Sequence, residues 1–179
     1  PGALGVEIVR SNETKKVRSV EPQDFQFNCP KIFVLSNKAF ESVQLKTCID
    51  ELERLERSAI FCVGLPTENY SKVVQTQVQR RIDLLAIEQN AWKLAAYDKR
   101  CVVVETKTEL DWAVKNGQIS VWAPAKMLLD SKNLPNFDLN NTAYLSEWLA
   151  NEFGAQYLTL IGDIPNTDCS IKTETIPLS

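Results

Sequence analysis

The stretch NNTAYLSEWLANEFGAQYLTLIGDIP, residues 140–165, contains a helix start, a helix stop and a buried strand in direct succession. Asn141 is a side-chain acceptor placed to cap the first free amides of a helix over Thr142–Phe153. Gly154 then supplies the left-handed residue on which helices end. The following YLTLIG is short, apolar and β-prone, which suits a strand with both faces covered. A helix that hands over to such a strand is an α/β unit, one of several along the chain.

The same signature recurs upstream. KIFVLS (31–36) reads as a strand, followed by a helix over ESVQLKTCIDELERLER with Val43, Leu45, Ile49, Leu52 and Leu55 near helical spacing. SAIFCVG repeats the strand and stops at Gly64. From Tyr70 to Tyr97 the positions Val74, Val78, Ile82, Leu85 and Trp92 predict one long helix whose apolar side they form. RCVVVE is a third strand in this run, and TKTE at Thr106–Glu109 has capping-box spacing for a short helix ending near Gly117. QISVWAP is a further strand, ended by Pro124. The expectation is an α/β three-layer sandwich with a mostly parallel sheet. It occupies residues 31–165, after an N-terminal strand (VEIV) and arm over 1–30 and before a tail over 166–179. Residues 11–30, 130–138 and the tail after Pro165 read as loops.

Composition narrows the chemistry. A chain of 179 residues with 44% hydrophobic content supports one core. A net charge of −3 with dispersed Lys and Arg gives no basic field for nucleic acid, and no apolar run reaches the length of a membrane span. PGALGVEIVR lacks the layout of a signal peptide, so the expected compartment is the cytoplasm. The five cysteines show no CxxC spacing; Cys48, Cys62 and Cys101 read as reduced core thiols. Histidine is absent, which removes Ser-His-Asp, Cys-His and HExxH chemistry. Asp130 and Asp138 read as caps or turn formers rather than magnesium ligands, and Trp92, Trp112, Trp122 and Trp148 as core anchors. Neither a metal nor a cofactor is expected.

Three segments together carry a resemblance: RRIDLLAIEQNAWKLA (80–95), ISVWAPAKMLLDSKNLPNFD (119–138) and YLSEWLANEFGAQYLTLI (144–161). In order and spacing they resemble the amino acid kinase family, which includes the acetylglutamate, uridylate and aspartate kinases. The likeness is closest to its small branch associated with methanofuran and tetrahydromethanopterin cofactor synthesis. That resemblance implies phosphoryl transfer, which needs cations and backbone amides around a spreading negative charge. The family's first strand carries a lysine and then glycines; here Val34 stands in the lysine slot and Ser36 and Asn37 in the glycine slots. In the family's second glycine loop only Gly64 remains, followed by Leu65 and Pro66. Ala143 stands where the family has an organising aspartate, and Gly162 where it has a lysine on the transferred group. Only Asp163–Ser179 follow, so the nucleotide-binding C-terminal part is expected to be mostly missing.

The resemblance therefore implies a degenerate kinase fold without a catalytic residue, retaining a vestigial pocket around Ser36, Asn37, Lys38, Gly64, Asn141 and Thr142. Lys38 and Lys126 are the candidate substitute cations, each more simply a solvated surface lysine. The expected role is a structural or regulatory subunit, in a homo- or hetero-oligomer with a paralogous kinase or an enzyme of cofactor biosynthesis. The helix over Tyr70–Tyr97 is the expected interface. The alternative is an ATP-dependent small-molecule phosphotransferase, or another enzyme, acting on a furan or pterin precursor at an unconventional site; a ligand-binding sensor is a third reading.

Overall fold

A computed structural model describes residues 30–55, 59–70, 76–130, 138–164 and 170–178. The predicted strand VEIV, the arm around it, Val74, Cys29 and Cys169 lie outside these residues. Six strands form one sheet: β1 (Lys31–Leu35), β2 (Ala59–Val63), β3 (Cys101–Val104), β4 (Ile119–Trp122), β5 (Tyr157–Ile161) and β6 (Lys172–Ile176). Their spatial order is β3-β4-β2-β1-β5-β6, and every pairing is parallel. Antiparallel neighbours need only a tight turn, whereas parallel ones need crossovers. The helices supply most of these: α1 (Asn37–Phe40), α2 (Leu45–Leu55), α3 (Gln77–Tyr97), α4 (Lys107–Lys115), α5 (Ala125–Asp130) and α6 (Thr142–Phe153).

Strand β2 is buried at all five positions and β4 at all four, so both faces of the sheet are covered, as a three-layer α/β arrangement requires. The core runs along Phe33, Ile60, Phe61, Val121, Leu158 and Leu160. Helix α3 packs on β2, β3 and β4, and α6 on β1, β2 and β5. Trp122 is buried, stacks on Trp148 with ring centroids 6.0 Å apart, and donates Nε1–H to Met127 Sδ at 3.2 Å.

The helix signals read from sequence hold at the atomic level. Asn141 Oδ1 accepts from Ala143 N at 3.0 Å and Tyr144 N at 3.3 Å, and Gly154 closes α6 with φ 68°. Thr106 Oγ1 accepts from Glu109 N at 3.1 Å while Glu109 Oε1 accepts from Thr106 N at 3.3 Å, which completes the capping box.

Five expectations are corrected. First, α3 begins at Gln77, capped by Thr76, and not at Tyr70; Thr67–Asn69 form a separate 3₁₀ turn and Tyr70 is extended. Second, the face of α3 against the sheet is Asp83, Leu84, Ile87, Asn90, Ala91 and Leu94, so the predicted stripe of Val78, Ile82, Leu85 and Trp92 faces solvent. Third, the helix after β1 is split: Ser36 caps a single turn, and Val43 sits in the break, 92% exposed. Fourth, the segments read as loops or left unread hold α5 directly after Pro124 and the edge strand β6 within the tail. Fifth, two of the four tryptophans, Trp92 and Trp112, are exposed, and Cys48 and Cys101 are only half-buried beside a fully buried Cys62.

Candidate functional site

In an open parallel sheet, ligands bind beyond the carboxyl ends of the strands where neighbouring connections leave in opposite directions. That point here lies between β1 and β5. The chain leaves β1 toward β2 on one side, and leaves β5 toward β6 on the other. Leu35 and Ile161 are register partners at this edge, and Ser36 and Gly162 are the next residues outward.

The crevice is occupied by the protein's own side chains. Ser36 is buried; its N donates to Ile161 O at 3.0 Å, and its Oγ accepts from Ala39 N at 2.9 Å. Phe40 N is spent on Ser36 O at 2.9 Å, so in α1 the amides of Ala39 and Phe40 already have acceptors inside the chain. Gly162 passes directly over this turn with φ 86°, and a Cβ on it would overlap Ser36 Oγ and press on Ala39. Its amide donates to Ile176 O of β6 at 2.8 Å. The strand pair is thus closed by a serine plug under a glycine.

The second half of the site repeats the arrangement one strand away. A Cβ on Gly64 would overlap Thr142 Oγ1, the buried first residue of α6. Gly64 O accepts from Asn90 Nδ2 at 3.0 Å, and Thr142 O accepts from Ser146 Oγ at 2.8 Å. Asn37 reaches from the start of α1 across to the loop after β2, donating Nδ2–H to Leu65 O at 2.9 Å, with Thr67 Oγ1 at 3.3 Å and Tyr70 Oη at 3.4 Å.

The structure therefore brings Ser36, Asn37, Gly64, Asn141 and Thr142 to one end of the sheet, each held in internal hydrogen bonding or close packing. Lys38 sits there too, exposed on α1. Val34 and Ala143, in slots where the resemblance calls for a lysine and an aspartate, are fully buried apolar residues. Lys126 is elsewhere, on α5 in a hollow with Arg81, Glu88 and Asp130. Asp138 accepts from Asn140 N at 2.9 Å, a turn former ahead of α6, and is not brought together with Asp130 by any described contact.

Asn90 is the residue sequence reasoning missed. A polar side chain among Leu84, Ile87, Ala91 and Leu94 is costly to bury unless bonded, and its partner proves to be the carbonyl of Gly64, directly after β2. Burial pushes the Cys62 thiol up to about 12, with the neighbouring Ser146 side chain opposing, so Cys62 stays protonated.

No family model matches the chain, and no curated protein matches it.

Proposed function

We propose that the chain is a catalytically degenerate, amino acid kinase-like protein that serves as a structural or regulatory subunit rather than a phosphotransferase. The fold class that supports this reading is the parallel α/β sheet; the family itself rests on the three sequence segments. The observation that carries it is the packing of Ser36 against Gly162 and of Thr142 against Gly64. Phosphate cradles work because bare backbone lets an anion approach free amides. At this switch point hydroxyl side chains fill that approach, and the amides of Ser36, Ala39, Phe40 and Gly162 already donate to oxygens of the chain. Leu65 and Pro66 line the second loop, and Pro66 has no amide to offer.

On the same resemblance, its role belongs to methanofuran or tetrahydromethanopterin synthesis, with a paralogous kinase or another enzyme of that route as partner. Co-expression with the products of neighbouring genes checks the pathway. The site is checked by thermal unfolding with and without Mg-ATP. Saturating nucleotide at 100 times a dissociation constant adds about 2.7 kcal/mol to the folded state, so a bound nucleotide raises the transition by several degrees. The expected result is no rise; a clear one returns the chain to the phosphotransferases.

A further inference from the structure

Helices α3 and α5 pack on each other and leave between them a hollow of about 340 Å³. Each wall brings a cation, a leucine and an anion in the same chain order. On α3 these are Arg81, Leu85 and Glu88; on α5 they are Lys126, Leu129 and Asp130, and buried Ala125 completes the lining. The two signs do not neutralise each other. Among the described residues the side chains of Arg81, Glu88, Lys126 and Asp130 take part in no ion pair and no hydrogen bond. The hollow is thus an apolar patch bounded by charges of both signs whose donors and acceptors are uncommitted.

We propose that it binds a small zwitterion of about dipeptide length. The anionic end lies on Arg81 and Lys126, the cationic end on Glu88 and Asp130, and the apolar body against Leu85 and Leu129. Charge selects this class. A polyanion such as a nucleotide would meet Glu88 and Asp130, and a polyamine would meet Arg81 and Lys126, so each suffers like-charge repulsion. A divalent cation would find two carboxylates opposed by two cations, far short of the oxygen shell it needs. A molecule with one charge of each sign satisfies both. Burial and the nearby Glu105 hold the Glu88 carboxyl above its usual range, and an incoming ammonium relieves that cost.

Spacing selects length. Along α3, Glu88 follows Arg81 by about two turns, roughly 10 Å at the helical rise. A single α-amino acid spans only about 3.5 Å, whereas two or three residues in extended form approach that separation. Volume agrees, because ligand pockets begin at about 300 Å³ and this hollow is at the small end. The leucines of both walls favour apolar side chains, which makes leucyl-leucine the probe. The hollow shares no residue with the switch point closed by Ser36 and Gly162, so the proposal stands apart from the subunit reading.

Isothermal titration of the full chain with leucyl-leucine tests it. The expected dissociation constant is about 0.1–1 mM, as for a small ligand held at two charged ends. N-acetyl-leucyl-leucine and leucyl-leucine amide each lose one charge, and each is expected to bind about tenfold more weakly. Glu88→Gln is expected to weaken the free dipeptide about tenfold and to abolish its advantage over the acetylated form. Arg81→Gln is expected to do the same for its advantage over the amide. Arg81 is exposed and Glu88 half-buried, so the far-UV circular dichroism of both variants should match wild type. Each variant should also keep the preference that the other loses, which a general loss of structure would not allow. No saturable binding up to about 10 mM overturns the proposal. So do blocked dipeptides that bind as well as the free one, or variants that keep both preferences.

Discussion

A glycine tolerated only because its neighbour is small makes a pair of residues act as one unit, and Gly64 with Thr142 is such a pair. The overlap created by a Cβ on Gly64 falls on Thr142 Oγ1, while the Thr142 Cβ stands 3.5 Å away, an ordinary contact. Gly64→Ala alone should therefore destabilise by about 2 kcal/mol, the range of overpacking in a filled site. Thr142→Ala removes the obstructing oxygen, and the double variant should recover most of that loss, a coupling of at least about 1 kcal/mol. Urea unfolding of the four proteins measures it. Strict additivity would show that the two positions do not touch. The crowding at this site was partly legible, because Ser36 and Asn37 follow the first strand directly and, on the resemblance, stand where glycines are expected. That those side chains cap and bridge the turn was not legible, since it depends on Gly162 and Leu65 arriving from distant parts of the chain.

At the scale of elements, α3 is where pattern reading failed for a physical reason. Two apolar stripes run along it, one through Leu85 and one through Leu84, and periodicity finds a helix without saying which side is inside. Asp83 and Asn90 on the inner face made that side look like the polar one. Both are bonded there, Asp83 to Gln79 Nε2 at 2.9 Å and Asn90 to Gly64 O. Adjacent leucines give a clean discrimination. Leu84 is 1% exposed and Leu85 54%. Leu84→Ala should cost about 3 kcal/mol, the central cost of a buried leucine truncation, and Leu85→Ala, at an exposed position, less than about 0.5 kcal/mol. Thermal or urea unfolding reads both, and equal losses would mean the helix is phased differently. By contrast α6 was legible to the residue. Its signals, Asn141 and Gly154, are local and act within one turn of the helix they delimit.

Across the whole molecule, strand order depends on long-range pairing that no local pattern encodes. The central strands β1, β2, β4 and β5 announced themselves by continuous apolar runs, whereas β6, with Lys172, Glu174 and Thr175 exposed at the sheet edge, reads as polar tail. Another long-range link joins α2 to the turn between α3 and β3. Arg100 Nη2 lies 2.5 Å from Asp98 Oδ2 and 2.6 Å from Asp50 Oδ1, with Lys46 Nζ 3.7 Å from Asp98. The Asp98 side chain is 3% exposed and that of Arg100 29%, so this one pair is shielded where an ordinary surface pair is not, whereas Lys46 and Asp50 stay open to solvent. The hydrogen bond from Arg100 holds the Asp98 carboxyl well below the usual carboxylate value of 3.8, helped by Lys46 against the opposing effect of burial. A carboxylate depressed by folding contributes stability that is complete above its unfolded value and is lost as pH falls toward its folded one. Asp98→Asn should therefore cost about 2 kcal/mol at neutral pH, the strength of a hydrogen bond to a charged group. The gap between wild type and variant should hold from pH 7 to about pH 4 and narrow steadily below it. Urea unfolding at a series of pH values follows that gap directly. A difference that stays constant into strong acid would mean the Asp98 charge contributes nothing and the asparagine is lost only as a packing partner.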